Sequence, residues 1–179
     1  MKKITVLIFA CTMFVLANAQ TINADESKVE FKIAAMGLAS VKGEIGGMQG
    51  SVFFDKNNLN TSSFDVTINP KTINTQNDKR DKHLQEEDFF DVDNYLTIHF
   101  KSTSILKNND GYLAKGKLTI LDTTKEIDLP FRVTQNKEKM VFYGEIEINR
   151  FDYNLASEEY KSSFMVGETA TVKITCVVQ

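Results

Sequence analysis

The sequence predicts an all-β domain of about eight antiparallel strands with one short helical insert. Apolar side chains recur with a period of two in many short runs, which is typical of strands with one buried and one solvated face. Turn residues separate these runs, and one polar segment lacks the alternation. We therefore expect a sheet system built from short hairpins, interrupted once by a helix.

The alternation locates the individual strands. The regular runs cover residues 29–33, 64–68, 96–100, 127–133, 140–148 and 170–178, and less regular strands are expected within 41–54 and 112–120. Strands with one apolar face close into a barrel or pair as a two-sheet sandwich, and periodicity alone leaves both open. A barrel of about eight strands has room inside for its own side chains or for one small ligand.

The exceptional segment runs from residue 75 to residue 94, is largely polar and lacks the alternation. Thr75 and Asp78 form a plausible N-cap pair for a short helix that continues toward Leu84, and residues 88–91 are expected to add a helical turn. Inside a sheet protein, such an insert serves as a plug, a lid or a packing wall.

The N-terminus predicts export. Lys2 and Lys3 precede an uncharged apolar stretch over residues 4–16, which ends at the small-residue triplet 17–19. The stretch is shorter than the roughly 20 residues that a membrane-spanning helix needs, so it is typical of a signal peptide. We expect cleavage between Ala19 and Gln20, a mature domain over residues 20–179 without a stable membrane anchor, and a periplasmic or secreted location.

Charge and cysteine content exclude several classes of function. Residues 1–19 contain two lysines and no acidic residue, so their removal shifts the net charge from −3 to −5. The basic residues are interspersed with acidic ones, which disfavours nucleic acid as a partner. Cys176 is the one cysteine left after cleavage, so no internal disulfide forms. Its place in an alternating run predicts a buried, inert thiol.

Several motifs resemble one known family. They are Arg80-Asp81-x-His83-Leu84, Asp88-Phe89-Phe90-Asp91-Val92-x-x-Tyr95-x-x-Ile98-x-Phe100, Gly116-x-Leu118-Thr119-Ile120, Asn149-Arg150-Phe151-Asp152-Tyr153 and Val166-Gly167. Together they resemble the YceI-like family of polyisoprenoid-binding proteins across nearly the whole mature chain. The family often has a proline where this chain has Leu96, and a glycine near Thr123 and Thr124, so these turns are expected to differ locally.

The resemblance implies a lipocalin-like closed barrel with an elongated apolar tunnel that holds a long-chain amphipathic lipid, such as a polyisoprenoid or an isoprenoid quinone. From alternation alone, the phenylalanines either fill the barrel or line a cavity, and the resemblance favours lining. The expected tunnel-lining residues are Phe31, Ile33, Phe54, Phe64, Ile98, Phe100, Leu118 and Phe142.

Charged residues in the segments without alternation are candidates for contact with the lipid head. They are Arg80, Asp81, His83, Asp88, Arg150 and Asp152. The planar fork of an arginine suits a carboxylate or a phosphate, but the same residues could instead form an internal ion-pair network. His99 is expected on the solvated face of its strand, and no spacing of ligands predicts a metal or another cofactor.

Three functions remain at this stage. The first is non-enzymatic binding, sequestration or transport of a long-chain lipid, and it agrees with the absence of catalytic motifs. The second is a ligand-free interaction module that meets a partner through loops such as residues 154–166. The third is an enzyme that acts on a tunnel-bound lipid with His83 and neighbouring carboxylates as acid and base groups. A monomer and a homodimer are both open.

Overall fold

A ten-stranded antiparallel sheet forms most of the protein. The computed structural model describes residues 20–35, 39–136, 139–156 and 166–179, so the expected signal peptide over residues 1–19 lies outside the described residues. The strands are β1 (Gln20–Thr21), β2 (Lys28–Ala35), β3 (Ala39–Ile45), β4 (Gln49–Phe53), β5 (Ser63–Ile68), β6 (Ile98–Asn108), β7 (Gly111–Ile120), β8 (Thr123–Gln135), β9 (Met140–Asn149) and β10 (Val166–Val178).

The strand order is β1-β4-β5-β6-β7-β8-β9-β10-β2-β3, and the sheet curls around one apolar interior. The N-terminal segment joins two distant parts of this sheet, because β1 pairs with β4 while Ile22 forms a bridge to Val178 at the end of β10. Thr21 and Gln179 also exchange two backbone hydrogen bonds of 3.1 Å. The predicted all-β barrel is therefore confirmed.

The strand number exceeds the expected eight for two local reasons. The predicted strand over residues 41–54 is divided into β3 and β4 at Gly46 and Gly47, and Gly47 has a φ of +66° that favours glycine. The second reason is β1, which is only two residues long and shows too few residues for a periodic pattern.

The N-cap of the helical insert lies two residues later than expected. Helix α1 spans Asp78–Gln85, and the side chain of Asn77 accepts a 3.0 Å hydrogen bond from the backbone N–H of Arg80. Thr75 does not cap the helix, because its hydroxyl donates to the carboxylate of Asp81 instead. Residues 88–90 form a turn and not the expected helical turn over residues 88–91. Within the described residues, no helix is long and apolar enough to cross a membrane.

The predicted run over residues 96–100 is correct only in part. Strand β6 starts at Ile98, and Leu96 is 68% exposed although the alternation placed it on the buried face. Elsewhere the alternation assigns the two faces correctly. In β10, Val172 and Ile174 face the interior while Lys173 between them is exposed. Shorter 3₁₀ helices cover Leu59–Thr61, Pro70–Thr72 and Arg150–Tyr153.

Candidate ligand-binding cavity

The interior of the barrel contains a cavity of about 480 Å³. This volume falls in the range of roughly 300–1,000 Å³ that is usual for small-molecule sites. The cavity is elongated, because Ala170 and Cys176 on the same strand both line it, and six residue steps along a strand span about 20 Å. Strands from both halves of the chain contribute apolar side chains to the wall. They include Val29, Val41, Ile45, Val66, Ile68, Ile120, Ile127, Leu129, Ile146, Ile148, Val172 and Ile174.

An aromatic cluster forms the floor of the cavity. Phe64, Phe131 and Phe142 line the cavity and pack edge-on or tilted against one another, with ring centroids 5.2–6.0 Å apart. Phe54 lies behind them and contacts Tyr112 at 4.9 Å and Phe142 at 5.6 Å. Aromatic pairs at these separations are favourable beyond the area that they bury. The barrel is therefore filled with side chains at this aromatic floor and hollow in the section that the cavity occupies.

Two inward-facing glycines make room for rings that line the cavity. A Cβ atom on Gly43 would come within 2.5 Å of the ring of Phe31, and one on Gly116 would come within 2.7 Å of the ring of Phe100. Each ring thus lies directly against the backbone of the neighbouring strand. The absence of a side chain at these positions preserves the open volume in the middle of the barrel.

The helical insert supplies one part of the wall. Leu84 at the end of α1 lines the cavity together with Phe89 and Phe90 from the following turns. Backbone hydrogen bonds hold these turns against the helix, with the N–H of Phe90 donating to the carbonyl of Leu84 at 3.0 Å. His83 also lines the cavity and packs edge-on against Phe89 at 5.0 Å. Of the roles expected for the insert, the described contacts fit a packing wall.

Arg80 lines the cavity from α1 but is held by its own neighbours. Its Nε donates to the hydroxyl of Thr75 at 2.7 Å, and its Nη2 donates to the Thr75 carbonyl at 2.8 Å. The carboxylate of Asp81 accepts hydrogen bonds from the N–H and the hydroxyl of the same Thr75. Thr75 is 4% exposed, so this network is largely protected from water. Arg80 and Asp81 are thus linked through Thr75.

Arg150 lines the cavity where β9 ends and a 3₁₀ helix begins. Its Nε donates to the carbonyl of Gly167 at 3.0 Å, its Nη1 donates to the carbonyl of Leu155 at 3.3 Å, and the guanidinium lies 4.1 Å from the ring of Phe151. Burial lowers the pKa of Arg150 below its ordinary value, and the nearby charge of Glu168 acts in the opposite direction.

Seven of the eight residues expected to line the tunnel do so, and Phe54 is the exception because it packs behind the aromatic floor. The expected set also omitted many residues that line the cavity. On β9 and β10 the alternation had already marked the relevant face, whereas Leu84, Phe89 and Phe90 lie in the insert, where no periodic pattern distinguishes them. Their role as ligand contacts stays a prediction.

The other polar candidates have separate surroundings. Asp88 and Asp152 are exposed and do not line the cavity. Asp152 acts on its neighbour Tyr153, whose pKa is raised to about 12, first by burial and then by this carboxylate. His99 is half-buried on the outer face, where its Nε2 lies 2.7 Å from Oδ1 of Asp65. It is therefore paired, and not simply solvated as expected.

Cys176 is buried as expected and also borders the cavity. Burial raises the pKa of its thiol to about 12, and the hydrogen bond to Ser27 acts in the opposite direction. A thiol with this pKa is protonated at neutral pH and therefore a poor nucleophile. Within the described ranges, no group of three histidine, cysteine, aspartate or glutamate side chains is arranged to hold a metal ion.

Comparison with known proteins places this barrel in a family. The model of the YceI-like domain matches residues 20–178. A UPF0312 protein from Yersinia enterocolitica is 33% identical over 106 residues, which cover 59% of this chain and 55% of the relative. A UPF0312 protein from Yersinia pestis is 34% identical over the same shares. The match thus spans about half the length of these curated relatives.

Several solved structures share the fold of this chain. BcnA from Burkholderia cenocepacia is 24% identical, with a TM-score of 0.83 over 88% of this chain and 99% of that one. The YCEI protein from Campylobacter jejuni is 28% identical, with a TM-score of 0.68 over 83% and 90%. A polyisoprenoid binding domain from Saccharophagus degradans is 12% identical, with a TM-score of 0.72 over 90% and 98%. The chain belongs to the YceI-like family.

Proposed function

We propose that the protein binds a long-chain amphipathic lipid of the polyisoprenoid or isoprenoid quinone type in its barrel and sequesters or carries it without changing it chemically. The observation that carries the proposal is the elongated apolar cavity of about 480 Å³ above an aromatic floor. The similar fold of the polyisoprenoid binding domain from Saccharophagus degradans supports the same class of ligand. Export through the N-terminal segment is part of the proposal.

The composition of the wall supports a lipid over a polar ligand. Apart from Arg80, His83, Arg150 and the thiol of Cys176, the described lining side chains are apolar, as an aliphatic chain requires. Burial of about ten methylenes contributes roughly 8 kcal/mol. Association costs on the order of 4–15 kcal/mol, so a short chain binds weakly and the preferred ligand is long.

Mass spectrometry of an organic extract tests the proposal. The mature protein is purified, extracted and compared with an Ala170→Phe variant, in which a ring occupies the cavity between Ile33 and Ile148. The matched control is Thr169→Phe, because Thr169 is exposed and its side chain points to the opposite face of β10. A long-chain lipid is expected from the wild type and from Thr169→Phe, and little or none from Ala170→Phe.

Repeated extraction of a wild-type protein without lipid, together with no uptake of added polyprenyl lipid, would contradict the proposal. Equal lipid content in the Ala170→Phe variant would contradict the assignment of the cavity as the binding site. Thermal unfolding of each variant separates these outcomes from a folding defect.

A further inference from the structure

Arg150 is the one charged side chain among the described residues that is buried, with 8% of its surface exposed. Burying a charge is unfavourable unless an opposite charge and hydrogen bonds compensate for it. Arginine keeps its proton under all ordinary conditions, so it does not escape this cost by becoming neutral. The neighbours of Arg150 therefore have to supply the compensation.

The described neighbours of Arg150 supply only neutral partners. Two carbonyl groups accept from Nε and Nη1, and the face of Phe151 lies over the guanidinium. In the described part of the chain, Nη2 donates no hydrogen bond and no carboxylate lies within ion-pair distance of Arg150. Glu168 is exposed and attracts the guanidinium only at longer range. Within the described ranges, the charge of Arg150 therefore has hydrogen-bond partners but no carboxylate at ion-pair distance.

The described lining of the cavity next to Arg150 also contains positive charge without negative charge. Arg80 and Arg150 are the charged side chains in its described lining, and no aspartate or glutamate is among them. The two arginines differ, since Arg80 is linked to the carboxylate of Asp81 through Thr75. Arg150 has no corresponding carboxylate among its described hydrogen-bond partners. Of the two arginines in the described lining, Arg150 is therefore the one whose charge is available to a ligand.

We propose that Arg150 binds an anionic oxygen group, a phosphate or a carboxylate, on the head of the lipid. This inference rests on the proposed lipid-binding function and narrows it from amphipathic lipids in general to anionic ones. Hydrogen bonds from a guanidinium to an anion are stronger than neutral ones, and a low local dielectric strengthens them further. A neutral head, such as an alcohol or a quinone, leaves the charge of Arg150 without a partner.

Two ligands with the same tail test the proposal directly. Geranylgeranyl monophosphate and geranylgeraniol are titrated into delipidated wild-type protein, and inorganic phosphate is titrated separately. The expected result is binding of the lipid phosphate at least about tenfold tighter than the alcohol, with much weaker binding of inorganic phosphate. Equal affinity for the two lipids would overturn the assignment, as would inorganic phosphate binding as tightly as the lipid phosphate. Binding of neither lipid would instead contradict the underlying lipid-binding function.

An Arg150→Gln variant tests whether this side chain is responsible for the preference for the lipid phosphate over the alcohol. Its phosphate-to-alcohol affinity ratio is expected to fall close to one, while its affinity for the alcohol stays within a factor of about two or three of the wild type. Arg132→Gln is the matched control, because Arg132 is exposed and its Nε donates a hydrogen bond to the carbonyl of Asp110 outside the cavity. An unchanged ratio in Arg150→Gln would overturn the assignment. If that variant does not fold, the wild-type comparison of the two lipids still decides.

Discussion

Phe54 and Phe100 are replaced by alanine one at a time, and the loss in free energy of unfolding shows whether each ring lies in a filled or a hollow section of the barrel. Phe54 is 7% exposed and packs edge-on against Tyr112, Phe131 and Phe142 behind the aromatic floor. Phe100 lies against Gly116 with one part of its ring and borders the cavity with another. The two substitutions remove the same atoms from these different surroundings.

The expected costs follow from these contacts. Three aromatic pairs contribute about 0.5–1.5 kcal/mol each beyond burial, and truncating a fully packed phenylalanine costs about 3–5 kcal/mol in total. We therefore expect Phe54→Ala to lower the free energy of unfolding by about 4 kcal/mol. Phe100→Ala enlarges a space that already exists and loses fewer packing contacts, so about 2 kcal/mol is expected.

Urea unfolding of delipidated protein is the assay, because bound lipid would add its own stabilisation to each variant. A difference of about 2 kcal/mol separates the two unfolding midpoints by roughly 1 M urea. Equal losses in the two variants would refute the reasoning, since they would mean that Phe100 is as fully packed as Phe54 and that no hollow section exists.

Three further predictions concern packing, pH and thiol chemistry. Gly43→Val is expected to cost about 1–3 kcal/mol in urea unfolding through overpacking, because its Cβ meets both Phe31 and Thr75 within 2.8 Å, and a neutral result would contradict the close approach. Hydrogen bonds from Lys101 and His99 hold the pKa of Asp65 below its ordinary value of 3.8, so this carboxylate stabilises the fold above that pH and the effect is lost as pH falls through the lowered pKa. The difference in unfolding free energy between wild type and Asp65→Asn should therefore shrink in acid, and a difference independent of pH would count against the pairing. Cys176, with its pKa raised to about 12, is expected to resist iodoacetamide at about pH 8 in the folded protein and to react after unfolding in urea, and rapid alkylation of the folded form would show that the thiol is not protected.

The strands were predictable because burial of one face imposes a period of two on the sequence. Strand β10 shows this well, since Ala170, Val172, Ile174 and Cys176 all border the cavity. The same rule is wrong at Leu96, where the alternation continues past the point at which β6 begins. A strand ends where backbone pairing ends, and pairing depends on a neighbouring strand that the local pattern does not describe.

The division between filled and hollow sections was not predictable from alternation. Phe54 and Phe100 both lie in strand-like runs, but only Phe100 lines the cavity. The difference arises from the partners of each ring, which are Phe142 on β9 for Phe54 and Gly116 on the neighbouring strand β7 for Phe100, and alternation within one strand does not identify such partners. The burial of Arg150 likewise depends on a contact with another strand, because its Nε donates to the carbonyl of Gly167 at the start of β10.

Affinity for a series of prenyl alcohols of increasing chain length tests most directly the claim that the hollow section holds a long aliphatic chain. Each methylene that enters the cavity contributes about 0.8 kcal/mol, which is roughly a fourfold gain in affinity. We predict that affinity rises steeply with length and then levels off once the cavity is full, and that Ala170→Phe moves the plateau to shorter chains while Thr169→Phe does not. Affinity that is independent of chain length in the wild type would contradict the claim.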